Sequence, residues 1–411
     1  MKFNRNLFLP FLLSIVSSVS FAQSSQFNDL LKAATKGNAE AQFNLGRMYD
    51  KGQGVAQNYN QAFEWFSKSA AQGNAKAQFT LAGMYLNGDG VAQSDAKAFE
   101  WYSKSAAQGD AAAQNNLASM YSDGRSVAQS DAKAFEWYNK SAAQGNSRAQ
   151  YSLGVMYYDG RGVAQSDVKA FEWFSKSAAQ GHVIAEYYLA ILYDSGRGVA
   201  QSDVKAFEWY SKSAAQGNAL AQYDLAVMYY DGRGVAKSDV KAFEWFSKSE
   251  AKSGMAAAQY GLGIMYDKGR GVAQSDVKAF EWYSKSAAQG HVDAQYNLAV
   301  MYENGQGVAQ SDVKAFEWYS KSAAQGDAGA QNKLAVMYET GKGTSKNTML
   351  ANEWYLKAAD SGNAMAQFNI GNNYLYGQNG LPKNRTQALK WFKKAADNGN
   401  AQAKLVLAGL Q

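Results

Sequence analysis

The chain has 411 residues, 46% of them apolar and 18% charged, a balance that excludes disorder and supplies side chains for a sizeable core. It has no cysteine, which excludes disulfides and thiolate metal sites, and its two histidines, His182 and His291, are too few and too far apart in sequence for a usual zinc constellation. The formal charge of +6 comes from interspersed acids and bases, so there is no nucleic-acid footprint.

In chain order, residues 1–22 read as a secretory signal peptide. Lys2 and Arg5 form a basic start, Leu7 to Val16 an apolar stretch, and Ser20 and Ala22 the small residues of a cleavage site. Cleavage after Ala22 leaves a mature chain that begins at Gln23, with no cysteine to anchor a lipid, in a periplasm or outside the cell. No later segment is long and apolar enough for stable membrane insertion. Residues 23–38 then read as a lone capping helix that carries Leu30, Leu31, Ala33 and Ala34.

Length alone would suggest two or three globular domains. A fixed period overrides that expectation. Ten tryptophans recur from Trp65 to Trp391 at intervals of 36 residues, twice stretched to 37, within the motif Ala-Phe-Glu-Trp-(Tyr/Phe)-Ser-Lys. A period of this length predicts a stacked-repeat architecture over residues 39–399. In the stretch from Asn74 to Gly109, Ala77, Leu81, Met84 and Tyr85 share one face of a first helix, helix A. Gly88 and Gly90 break it, and Ser94 or Asp95 caps a second, helix B. Ala98, Trp101, Tyr102, Ser105 and Ala106 share a face of helix B, and the tryptophan is expected in its core. Small residues at Ala82, Gly154 and Gly263 let helices approach closely, and Glu100–Lys104 and its equivalents are expected as i,i+4 ion pairs. The extra residues of the longer intervals fall near Ser253–Gly254 and Asn379–Pro382, and residues 400–411 read as a second capping helix.

The unit Ala-Gln-x-x-Leu-(Gly/Ala)-x-Met-Tyr, Gly-x-Gly-Val, Asp-x-x-Lys-Ala-x-x-Trp-(Tyr/Phe)-x-Lys, Gly-Asn resembles the Sel-one-like repeat (SLR) family, relatives of the tetratricopeptide solenoids. The resemblance covers the mature chain. It implies an all-α fold, a right-handed α-solenoid of stacked antiparallel helix pairs, and a role in assembling protein complexes, often outside the cytoplasm. One branch of the family is cysteine-rich and associated with penicillin binding and β-lactamase activity; the absence of cysteine separates this chain from it.

Two motifs invite a chemical reading. Ser166-Asp167-Val168-Lys169 matches the Ser-x-x-Lys of penicillin-recognising enzymes. It recurs from Ser94–Lys97 to Ser311–Lys314, and an active site needs one convergent constellation, so a helix cap followed by a solvated lysine is the expected role. The Gly-x-Gly loops follow helices rather than strands and lack the rest of a phosphate-binding fingerprint. No catalytic residue, cofactor or metal is expected.

Helix A also carries apolar residues where a polar face is expected. Tyr151, Val155 and Tyr158 lie there in one repeat, and Tyr187 and Ile191 in the next. Tyr223, Val227 and Tyr230 follow, then Tyr260 and Ile264, then Tyr296 and Val300. By resemblance to the tetratricopeptide proteins this face is concave and binds an extended partner. The expected function is an exported, non-enzymatic scaffold for protein partners; peptidoglycan or its enzymes are the alternative ligands.

Overall fold

The computed structural model describes residues 27–410. The expected signal peptide and the first residues of the expected N-terminal cap lie outside them. Every regular element among the described residues is an α-helix. The chain divides into two compact units, one ending at Ser202 and the other beginning at Asp203. The first holds a helix through residues 27–35, four antiparallel pairs from Ala39–Lys51 with Tyr59–Ala71 to Ser147–Asp159 with Asp167–Ala178, and the A helix Val183–Ser195. The second opens on the B helix Asp203–Ala215. Five pairs follow, from Ala219–Asp231 with Asp239–Ser253 to Ala364–Tyr376 with Arg385–Asp397, and then the helix Ala401–Leu410.

Local sequence sets each boundary. In the fourth repeat, Asn146 Oδ1 accepts from the Ala149 amide at 3.1 Å and caps helix A. Gly160, at φ +73°, closes it by donating to the Met156 carbonyl. Ser166 caps helix B, accepting from the Lys169 amide at 3.4 Å.

The expected core needs one correction. Trp65 and Trp391 are buried, but the eight tryptophans between them are only half-buried. The fully covered aromatic is the next residue, as at Phe174, Tyr319 and Tyr355. Each tryptophan instead turns a ring face to the lysine three residues on, whose Nζ lies 3.7–4.3 Å from the ring centre. The same lysine is the one expected to pair with glutamate. Glu100–Lys104, at 2.6 Å, is the pair of that register that closes among the described residues.

Three kinds of contact join successive repeats within each unit. A helix-B phenylalanine meets a helix-A tyrosine of the next repeat edge-on, as in Phe135–Tyr157 at 5.5 Å and Phe243–Tyr266 at 5.5 Å. The residue inside the Gly-x-Gly loop reaches back to the first residue of the preceding helix B, as in Arg161–Asp131 at 2.9 Å and Arg270–Asp239 at 2.7 Å. A buried glutamine links three helices: Gln295 donates to the Ala287 carbonyl of the preceding repeat at 3.2 Å and accepts from Gln325 of its own at 2.8 Å.

That relay fails in the ninth repeat. Gln331 donates to the Ala323 carbonyl, but its Oε1 is buried without a partner because Ser361 stands where Gln325 stands one repeat earlier. Ser361 and Gln325 share a backbone conformation, φ −77° and ψ 6° against φ −86° and ψ 2°. Ser361→Gln should therefore restore the bond and stabilise the second unit by about 1 kcal/mol, seen as a higher urea midpoint. Gln331→Leu combined with Ser361→Gln should lose that gain.

Candidate partner-binding site

The recurrent Ser-x-x-Lys motif is taken up by structure. The serine hydroxyl caps helix B, and the lysine ammonium leaves it to lie over a helix-A tyrosine of the same repeat: Lys169 Nζ is 5.1 Å from the Tyr157 ring centre and Lys314 Nζ 5.2 Å from that of Tyr302. The first two amides of the Gly-x-Gly loop are likewise spent on a helix end, Gly160 and Arg161 both donating to the Met156 carbonyl. Among the described residues no group of three or more His, Asp or Glu side chains could hold a metal, and no helix is long and apolar enough to cross a membrane.

All twelve helix-A candidates are half-buried. Their first position packs on the buried helix-B aromatic of its own repeat: Tyr223 on Phe246 at 5.7 Å, Tyr260 on Tyr283 at 5.8 Å and Tyr296 on Tyr319 at 5.6 Å. Tyr296 and Val300 lean on the core cluster around Leu298. Five candidates converge in the second unit. Tyr223, Val227 and Tyr230 from one A helix and Tyr260 and Ile264 from the next line a cavity of about 230 Å³, with Phe246, Ala257 and Gly261 completing its wall and Asp231 beside it. Arg270 braces it from outside, stacked 3.6 Å from the Tyr230 ring centre while bound to Asp239. Hydrogen bonding to Arg270 holds the Asp239 carboxyl below its ordinary range, so the brace keeps its charge in mildly acidic solution. Burial, and then Asp224, pushes the Tyr223 phenol up, and burial, and then Asp293, does the same for Tyr260, so both stay neutral.

In the first unit Tyr151, Val155, Tyr158, Tyr187 and Ile191 occupy the corresponding positions, but Tyr188 enters the space between them. Its ring stacks on Phe174 at 4.9 Å and 17°, and Tyr151 and Tyr158 flank it at 5.9 and 5.8 Å. Arg197 lies 4.2 Å from the Tyr158 ring centre, as Arg270 lies over Tyr230.

In four repeats the variable third position matches the helix-B aromatic beneath it. Where helix B buries a tyrosine, an acid can accept its hydroxyl: Tyr319 donates to Glu303 and Tyr355 to Glu339, each at 2.7 Å. Where helix B buries Phe174 or Phe246, no hydroxyl needs a partner and the position is Tyr158 or Tyr230. Reading each helix alone missed this pairing, as it missed Gly261, Ala257 and Tyr188. Comparing helix A with helix B repeat by repeat would have exposed it.

Both histidines cap an A helix. His182 Nδ1 accepts from the Ala185 amide at 3.2 Å, and its ring stacks on Tyr151 at 4.8 Å. His291 does the same with Ala294 and Tyr260. Burial pulls both imidazoles below their ordinary value, helped at His182 by Arg148 and opposed at His291 by Asp293. With the folded value below the unfolded one, the caps contribute fully above about pH 6.5 and fade as pH falls through the lowered values. The melting temperature should therefore drop between about pH 7 and 5, and the double variant His182→Asn, His291→Asn should flatten that slope in a thermal melt.

Helix pairs repeated at a fixed interval, with ties only between neighbours, define an α-helical repeat protein built to present surface. The Sel1 repeat matches at residues 39–74, 75–110, 111–146, 147–182, 183–218, 219–252, 256–291, 292–327, 328–363 and 364–400, and the chain belongs to the Sel1 repeat family. Among solved structures it is similar to a protective antigen present in uropathogenic Escherichia coli strains displaying an SLR fold, at 40% identity over 93% of this chain and 82% of that one, with a TM-score of 0.85. A Sel1 repeat protein from Oxalobacter formigenes is 31% identical over 77% of this chain and 93% of its own, with a TM-score of 0.55. No curated protein sequence matches. Sel1 repeats generally mediate protein–protein interactions.

Proposed function

We propose that the protein is an exported adaptor that carries no chemistry of its own and holds protein partners against the apolar faces of its A helices. The cavity formed by Tyr223, Val227, Tyr230, Tyr260 and Ile264 carries this reading. Rigid aromatic anchors around an apolar hollow are what a binding hot spot needs, and these rings are pinned by their own repeats. The basic, apolar and small-residue order of residues 1–22 supports export. The likeness to a protein that is a protective antigen present in uropathogenic Escherichia coli strains is in keeping with that reading.

Two measurements test the two halves. Residues 1–30 fused to an alkaline phosphatase that is active only after export should give activity, and Leu12→Arg with Leu13→Arg should abolish it. A photo-crosslinking residue at position 227 should join the chain to a discrete protein in the producing cell, whereas one at the exposed position Val313 should not. Cross-links to glycan strands alone, removed by a muramidase, would replace the protein ligand with peptidoglycan.

A further inference from the structure

Resting on that adaptor reading, we propose that the cavity of the second unit is a socket for one aromatic side chain, tyrosine above phenylalanine, presented by an extended segment of a partner protein. The chain itself displays the occupant. Tyr223, Tyr230 and Phe246 stand 72 residues after Tyr151, Tyr158 and Phe174 and line the same hollow. In the first unit a phenol fills that hollow, Tyr188 lying nearly parallel to Phe174 at 4.9 Å. In the second unit its counterpart is Gly261, and the neighbouring Ile184 has Ala257 as its counterpart. The phenol is thus absent from one wall while the floor and sides are retained, leaving about 230 Å³.

Gly261 has no backbone reason to be glycine. It sits inside the helix Ala256–Lys268 at no unusual φ, where glycine costs about 1 kcal/mol relative to alanine. Its absent side chain is what opens Phe246: a Cβ there would lie 2.9 Å from the Phe246 ring edge. Four of the lining side chains, Tyr223, Tyr230, Phe246 and Tyr260, are aromatic, and their ring faces and edges suit an aromatic guest in stacked and edge-on contact. Preference for tyrosine follows from the filled counterpart, where the occupant is itself a phenol, Tyr188, flanked by the Tyr151 and Tyr158 rings at 5.9 and 5.8 Å. Tyr223 and Tyr230 hold the same two flanking places for a guest.

The test uses the mature full-length chain and N-acetyl-L-tyrosine amide as probe, followed by saturation-transfer NMR. Wild type should bind the probe, with the phenylalanine amide weaker and the leucine amide weaker still. Gly261→Tyr should weaken binding at least tenfold by filling the socket from within. Tyr188→Gly should create a second site of similar affinity, a gain that misfolding cannot imitate. Equal binding by wild type and Gly261→Tyr, or no binding by any form, overturns the socket. A random displayed-peptide library panned on the wild type separates this from the adaptor reading. Selected peptides with a fixed tyrosine or phenylalanine, competed by the probe, support the socket. Peptides that bind the A-helix faces without an aromatic anchor overturn the socket and leave the adaptor standing. Probe binding with no peptide recovered overturns presentation by a partner segment, and the adaptor reading with it, leaving a site for a free phenol.

Discussion

Gly271→Val is expected to destabilise the second unit by about 4 kcal/mol, combining a left-handed backbone of about 1–2 kcal/mol with steric overlap of about 1–3 kcal/mol. Gly271 has φ +69°, which a β-branched residue adopts only under strain. Its Cβ would also overlap the Asp239 carbonyl and press on the Val240 amide at 2.8 Å, and these are backbone atoms of a helix start that cannot swing aside. Gly290→Ala separates the two terms. Gly290 has φ +91° and nothing within 4 Å of a Cβ, so it should cost about 1 kcal/mol from backbone alone. Guanidinium denaturation compares the variants. Limited proteolysis locates the damage, with new cuts expected between residues 254 and 275. A functional loss should accompany it, because the same loop carries Arg270. Once the loop is displaced, Arg270 leaves both Asp239 and the Tyr230 ring, and the cavity loses the brace on one wall. If the two glycine variants cost the same, the close packing of each loop on the preceding helix is not what sets the spacing of repeats.

The helices were legible because their punctuation is local. Asn146, Gly160 and Ser166 each act on amides or carbonyls within four residues, so sequence spacing is the same as spatial spacing. The ties between repeats were not legible. Arg161 and Asp131 are 30 residues apart, and only stacking brings the loop of one repeat over the helix start of the last. The i,i+4 pairs failed for the opposite reason. They are easy to read along one helix, but the ammonium lies over the half-exposed tryptophan in every repeat, and Lys104 alone of the described lysines of that register reaches its glutamate as well. The apolar positions of the candidate site were visible as a departure from polar patterning, and five of them do meet around one hollow. What sequence could not supply was the meaning of Gly261. A glycine inside a helix reads as a weak position until Phe246 is seen beneath it and Tyr188 is seen filling the counterpart.

Phe174→Ala should cost more than Trp173→Ala, reversing the order that the tryptophan period implies. Phe174 is 0% exposed and is touched from three sides by Tyr151, Tyr188 and the small residue Gly154, where a Cβ would come within 2.5 Å of its ring. Nothing as small as alanine can fill that volume, and rigid helix pairs cannot collapse into it, so the loss should approach about 4 kcal/mol. Trp173 is larger but half-buried, and part of its contact is with the mobile stem and ammonium of Lys176, 4.1 Å from its ring centre. Its removal exposes a shallow groove that water can enter, at about 2 kcal/mol for the buried part of the ring and the cation–π contact together. Urea midpoints of the two variants decide the order. The near-ultraviolet spectrum adds a second readout: Phe174→Ala should release Tyr188 from its stack and alter the tyrosine band, while Trp173→Ala should leave it in place. A larger loss at Trp173 would return the tryptophans to the core and demote the buried aromatic that follows each of them. It would also remove the floor on which the socket of the second unit depends, since Phe246 holds that place there.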